Sequence, residues 1–322
     1  MSEARGSWPA LPLEDWQQTY ATLHMYTQIV GKLRLKLSPM ANHWWQVPLY
    51  VTARGLTTSP IPYQDRTFQM EFDLFDHQLV VQTSEGDVRR IALGPAVKDF
   101  YREVMQSLRG LEIEVRIWPR PVEVPDPIPF AEDDQHANYE AAAAHRFWHV
   151  LRHVDQVFQV FRSRFTGKAS PVQFFWGSFD LAVTRFSGRP AAPKPGADPI
   201  TRLAYNAELS GLGFWPGGGE AKGAAFYSYS YPQPAGFERQ PVRPEAAFYH
   251  PALGEFLLMY DAVREAEDPT ALILGFAQST YEAGARLQGW PVDELELRPV
   301  DGQAATPSSQ LAAANAPNPV DS

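Results

Sequence analysis

The chain has 322 residues, 44% hydrophobic and 13% aromatic, with a net charge of -9 and no cysteine. That is enough for one large or two medium cores. It excludes disulfides, thiolate nucleophiles and cysteine-held metals. With no basic run longer than Arg89-Arg90, it also speaks against binding a nucleic-acid backbone.

Residues 1–12 form an expected flexible arm. They lack the basic-then-apolar order of a signal peptide, and no apolar window is long enough to span a membrane, so a soluble cytoplasmic protein is expected. A first α+β half is read over 13–118. Its opening helix carries Trp16, Tyr20, Leu23, Tyr26, Val30, Leu33 and Leu37 at helical spacing. Ser38-Pro39 ends it, and a Trp-bearing strand is predicted within HWWQVPLYVTARGLTTSP (43–60). Hairpin material follows, with Phe68, Met70, Phe72 and Leu74 alternating against polar neighbours, then a helix from near Val97. Residues 119–137 are a proline-rich connector, expected to be extended and to divide the halves.

The second half, 138–290, opens with a helix whose stripe is Phe147, Leu151, Val154, Phe158, Phe161 and Phe165. Ser170-Pro171 and a second Trp-bearing strand, FFWGSFDLAVTRFSGRP (174–190), come next. A long irregular region is expected from 187–199 through 211–223. Its glycine-rich end lacks the Gly-Lys-Ser/Thr of a phosphate loop and reads as a flexible flap. Strands are expected in AAFYSYSYPQP and AAFYHPALGEFLLMY, and a last helix capped by Asp268 with Pro269 at its first position. Residues 291–322 read as a mostly disordered tail.

A shift of 132 residues lays Trp16 on Trp148, Lys36 on Lys168, Ser38 on Ser170, Pro39 on Pro171 and Trp44 on Trp176. The alternate positions of the two Trp-bearing strands also agree in character, apolar on one face and polar-aromatic on the other. The fold class expected is α+β: two helix–antiparallel sheet–helix halves related by an internal duplication. Two unrelated amphipathic strands are the alternative. If the polar-aromatic faces turn inward, a cleft lies between the halves.

That cleft would carry Trp44, Arg54, Trp176, Ser178, Asp180 and Thr184, with Arg185 beside them. Indoles offer platforms for a flat or sugar-like ligand. An Asp among aromatics suits acid–base work, and Arg54 or Arg185 suits a carboxylate or phosphate. The competing reading makes Asp180 one half of a cross-sheet ion pair. Tyr227 and Tyr229 share a strand face that either lines a polar pocket or forms an amphipathic surface. His250 and Glu255 flank a Pro-Ala-Leu-Gly turn, so a hairpin would bring them close as a base pair or as solvated turn residues. His145, His149 and His153 have metal-like spacing but fall opposite the apolar stripe, which favours a solvated face; no metal site is assigned. His24 and His43 read as packed or surface residues.

The strings HWWQVPLYVTARGLTTSPIPY, VPDPIPF, FFWGSFDLAVTRFSGR, GFWPGGG and FYHPALGEFLL resemble those of a bacterial family catalogued as domain of unknown function 5996, over roughly residues 8–290. The resemblance implies a single bacterial unit and carries over no activity, cofactor or catalytic residue. The residues themselves favour an enzyme on a small polar organic molecule. Asp180, His250 and Glu255 would move protons, and Trp44, Arg54, Trp176, Ser178, Arg185, Tyr227 and Tyr229 would bind. A metabolite- or sugar-binding protein and an aromatic interaction scaffold are the rivals. Cofactor and oligomeric state stay open.

Overall fold

The computed structural model describes residues 8–193 and 195–297. By its contacts the chain forms two compact units. The first joins Leu11–Arg152 to Gln173–Leu181. The second joins Met1–Ala10, His153–Val172 and Ala182–Ser322, as far as these are described. Both mix helices with antiparallel sheet, so the α+β expectation holds. Among the described residues, no helix is long and apolar enough to cross a membrane.

The axis of the first unit is α1 (Gln17–Leu37), in which Leu23, Tyr26, Ile29, Val30 and Leu33 are fully buried. Thr22, Thr27 and Gln28 are fully buried too, so this helix has partners all round rather than one apolar stripe. Its sheet holds β1 (Tyr50–Val51), β2 (Gly55–Thr57), β3 (Ile61–Tyr63), β4 (Arg66–Asp73), β5 (Gln78–Thr83) and β6 (Val88–Ala92). The order is β1-β2-β4-β5-β6, with β3 also paired to β4. The register sets Met70 opposite Val81 and Phe72 opposite Leu79, so the alternating apolar residues meet across the ladder on the buried face. Helix α2 (Val97–Gly110) buries Phe100, Val104 and Leu108. Helix α3 (Ala141–Ser163) gives its residues through Arg152 to this unit and the rest to the second. Strand β7 (Gln173–Phe175) is bridged to the chain just before β1 through Leu49 and Phe174.

Residues 119–137, expected as the divide between halves, lie inside this unit. Phe130 is fully buried and its N–H donates to Pro119 O at 2.8 Å. The carbonyls of Asp133 and His136 accept from Lys98 N and Val97 N at the start of α2. Prolines leave few amides to satisfy, and the segment is tied to α1 through Gln28 and to α2 through the carbonyls of Asp133 and His136, so an extended segment serves here as wall rather than linker.

The two Trp-bearing strands are also corrected. His43 and Trp44 sit at φ 58° and 60°, in a 3-10 turn over Asn42–Trp44, and strand begins only at Tyr50. The second is interrupted. After β7, the chain turns through Trp176–Phe179, with Phe179 at φ 63°, before β8 (Asp180–Pro190). The turn resets side-chain parity: Phe174 and Trp176 are buried before it, Leu181 and Val183 after it.

In the second unit, β8 is followed by α4 (Pro199–Ala204), β9 (Ala207–Trp215), β10 (Ala225–Tyr231), β11 (Phe248–His250), β12 (Glu255–Met259), α5 (Tyr260–Arg264), α6 (Pro269–Leu287) and α7 (Val292–Leu295). The strand order is β11-β12-β10-β9-β8. Asp268 caps α6, accepting from Ala271 N at 2.9 Å, with Pro269 at the first position as expected. Much of the irregular region expected over 187–223 is strand: β8 runs to Pro190 and β9 takes 207–215. Residues 8–12, read as loose, are held down. Tyr260 donates to Pro9 O at 2.7 Å, Trp8 stacks on His153, and Leu11 is buried. Residues 291–297, read as tail, include α7 and the ion-paired Glu296. Residues 1–7 and 298–322 lie outside the described residues.

Candidate functional site

The face of α1 at i, i+4, i+8 and i+12 carries Tyr20, His24, Gln28 and Lys32. Against it lie residues 122–123 of the proline-rich segment and the turn that joins β7 to β8. Gln28 holds the former. Its Nε2 donates to Val122 O at 2.7 Å and its Oε1 accepts from Val122 N at 2.8 Å, which fixes the amide orientation. His24 holds the turn: its Nε2 is 2.8 Å from Gly177 O, so the proton is on Nε2. Tyr20 and Phe179 crowd the imidazole at 6.0 and 5.1 Å. Burial brings His24 down to about 4, and its hydrogen bonds to the turn only partly oppose this, so the ring is neutral at pH 7.

Two carboxyls converge where the two segments meet. Ser178 Oγ donates to Asp180 Oδ1 at 2.6 Å, and Asp180 is buried. The Glu123 carboxyl lies against Gly177, where a Cβ would come within 2.4 Å of its Oε1; only glycine permits that approach. Desolvation first, and then the charge of Asp180, lift Glu123 above the ordinary carboxylate range, while the Ser178 hydroxyl draws it back. Glu123 as a residue remains exposed, so water weakens both effects. One hydroxyl proton serves one carboxylate at a time. The trio is therefore satisfied when Glu123 carries its own proton and donates to Ser178 Oγ, which donates to Asp180. Glu123 and Phe179 both occupy the left-handed region, at φ 59° and 63°, at a cost of order 1 kcal/mol each.

Farther along α1, Lys32 is 5% exposed, with Nζ 5.6 Å from the Trp176 ring centroid. Among the described residues it has neither an ion pair nor a hydrogen bond. A cation–π contact contributes about 0.5–2 kcal/mol, whereas burying an ammonium without a counter-charge costs several kcal/mol. The contact with the indole does not offset the burial. Desolvation accordingly lowers Lys32 to about 8.

The residues picked from the sequence fall into both units. Trp176 is no open platform. Its Nε1 donates to Val47 O at 2.9 Å, and its ring presses on Gly31. Trp44 is half-buried in the 3-10 turn. Arg54 grips Asp73 with two hydrogen bonds, of 2.7 and 3.0 Å, and reaches Asp76 at 2.9 Å. The histidines expected on a solvated face are packed: His145 against Phe75, His149 against Trp148, and His153 on Trp8. Among the described residues, no group of three or more His, Asp or Glu is arranged to hold a metal.

In the second unit Arg185 is fully buried, stacked on Phe161 at 3.6 Å and paired with Glu296 at 3.2 Å, which makes it part of the core rather than a clamp for a ligand. Tyr227 and Tyr229 stack on each other and lie flat over Gly213 and Gly211 of β9. His250 and Glu255 are paired across the β11–β12 hairpin, as the turn predicted, and His250 Nδ1 accepts from Leu253 N at 3.4 Å within that turn. An open groove of about 1170 Å³ runs over the first turns of α6, between Arg164, Arg243 and Gln278, and none of the residues picked from the sequence lines it.

Ser178 and Asp180 were expected at a site from the sequence, whereas Gln28, Lys32, Glu123 and the part played by His24 were not. The i+4 polar row on α1 was the available signal for three of these. No curated protein and no solved structure matches the chain. The family model for DUF5996, a family of unknown function, matches residues 8–297, most of the chain's length, and the chain belongs to that family.

Proposed function

We propose that the protein is an enzyme that moves a proton on a small polar organic molecule, with Glu123 as acid and Asp180 as base. The observation that carries the reading is the pair of carboxyls joined through Ser178, held from behind by His24 and Gln28. Two carboxyls in unlike surroundings divide acid and base roles between them. Glu123 is the more exposed and its carboxyl is shifted upward by desolvation and by the charge of Asp180, which suits it better than Asp180 to the donor's part. Asp180, fed by the Ser178 hydroxyl, takes the proton. Two strained residues at the same place support a working site over a latch, since such strain gathers where function needs it. His250 and Glu255 have no part in this reading.

The test incubates the full chain with a mixture of small hydroxy, keto and amino acids in D2O. Consumption and deuterium uptake are followed by NMR and mass spectrometry. One compound is expected to change, and Glu123→Gln and Asp180→Asn should each slow that change about a hundredfold or more with circular dichroism unaltered. Folded variants that work at the wild-type rate would reject both roles. Binding without conversion of any compound would assign the site to recognition alone.

A further inference from the structure

Lys32 is the charged member of the α1 polar row, and it has no part in the proton transfer proposed above. Its neighbour Trp176 is locked by the bond to Val47 O and by contact with Gly31, so the indole face against the ammonium is fixed. A π face attracts a cation but accepts no full hydrogen bond, and the ammonium has three N–H donors. Other buried donors of this helix have acceptors: Arg34 donates to Gln46 O and Ser59 Oγ, and Thr27 to His24 O. Lys32 is 5% exposed as a residue and has no acceptor among the described residues, while its Nζ is not one of the fully buried polar atoms, so the tip keeps access from outside.

We propose that Lys32 holds the anionic group of the ligand, a carboxylate or a phosphate, so that the molecule handled at Glu123 and Asp180 is a small organic anion. The proposal rests on the proton-transfer reading only for where the rest of the ligand goes. An anion brought to Nζ supplies both the counter-charge and the acceptors that the fold withholds. With its pKa at about 8, Lys32 is still mostly protonated at pH 7, as charge pairing requires. The spacing of the row along one helix keeps the anchor and the carboxyl pair on a common face.

The experiment titrates the full chain with inorganic phosphate, acetate and succinate, with chloride making up constant ionic strength. Thermal unfolding and calorimetry are the readouts. One of these anions is expected to raise the melting temperature of the wild type, and phosphate against the carboxylates tells which headgroup is preferred. Lys32→Met should bind that anion about ten- to a hundredfold more weakly, the worth of a charge-assisted hydrogen bond. Without anion it should be at least as stable as the wild type. An equal anion response in both proteins, or no response in the wild type, would overturn the proposal. If Lys32→Met does not fold, reductive methylation with 13C-formaldehyde keeps the charge, and the Lys32 methyl resonance must move with the anion or the proposal falls. Glu123→Gln should keep the anion response. Lost turnover with retained anion binding in that variant separates the two readings, and wild-type turnover with retained anion binding removes only the first.

Discussion

Arg185 in the second unit and Lys32 in the first are both buried cations, and they are compensated in opposite ways. Arg185 is 0% exposed. Its guanidinium lies over Phe161, Phe165 and Tyr281 and donates to Phe161 O and to Glu296 Oε1. Among the described residues, Lys32 has one ring and no carboxylate. The chemistry of the heads explains part of the difference. A planar guanidinium is weakly hydrated, stacks on rings and spreads its donors in a plane, so aromatic walls and one carboxylate nearly complete it. A compact ammonium is strongly hydrated and needs acceptors of its own. Burial lowers both, Arg185 to about 10 and Lys32 to about 8, but only Arg185 has a carboxylate pulling it back. A buried cation held by a carboxylate, a carbonyl and three rings reads as core even with its Nε unpartnered, and one with a single ring and no acceptor among the described residues points to a ligand.

The comparison breaks most visibly if Arg185 turns out to be dispensable. Arg185→Leu strips Glu296 of its partner and removes the plate between three rings, and one-sided loss of a buried pair typically costs about 3–5 kcal/mol. Glu296 is a quarter exposed, so the lower part of that range is expected. Urea denaturation measures it as a fall in midpoint at constant slope. Arg185→Lys should recover little of the loss, because an ammonium cannot stack on all three rings. A change below about 1 kcal/mol, within the range of ordinary surface substitutions or slightly above, would place Arg185 outside the core network.

A smaller effect comes from the neutral member of the α1 row. His24 stands at about 4 in the folded chain against 6.5 when free. Between those values the unfolded chain binds a proton that the folded one does not, so stability rises with pH across that window. The contribution is complete above pH 6.5 and is lost as pH falls toward 4, amounting to about 3 kcal/mol. His24→Gln should flatten this part of the stability profile. Lys32 behaves likewise at the alkaline end: the penalty for burying its charge is present below pH 8 and is relieved as pH rises toward 10.5. A wild-type profile that is flat from pH 4 to 6.5 would show His24 to be solvated.

Much of the fold was legible because its signals are local. The stripe from Phe147 to Phe161, the alternation from Phe68 to Phe72 and the Asp268-Pro269 start each report their own element. The misreadings come where a residue's meaning depends on a distant partner. Gly211 and Gly213 looked like loop residues, yet they lie in β9 because the Tyr229 and Tyr227 rings fill the space above them. Prolines at 119–129 looked like a linker, yet Gln28 waits 94 positions upstream to receive the backbone of Val122. The site was half visible for the same reason. Ser178 and Asp180 are two residues apart, whereas Glu123 reaches them only through the turn at Gly177. The polar row on α1 has the same spacing whether it faces water or a packed wall, so periodicity alone could not reveal that it is buried.

The finest test of the comparison leaves the charge of Lys32 in place and disturbs only its support. Gly31 has no side chain, and the Trp176 indole occupies the room: a Cβ there would stand 2.3 Å from the ring's Cδ1 and Nε1. The ring cannot swing away without giving up its hydrogen bond to Val47 O. Gly31→Ala therefore gains helix propensity of about 1 kcal/mol but forces the ring or α1 to move, and overpacking of this kind costs about 1–3 kcal/mol. Net destabilisation of about 1 kcal/mol is expected, with a shift in tryptophan fluorescence as the indole leaves its place. Anion affinity should fall with it, because the ammonium loses the surface that aims it. A stable Gly31→Ala protein with unchanged fluorescence would mean that Trp176 is free to move, and a mobile indole could not be what holds Lys32 ready for a ligand.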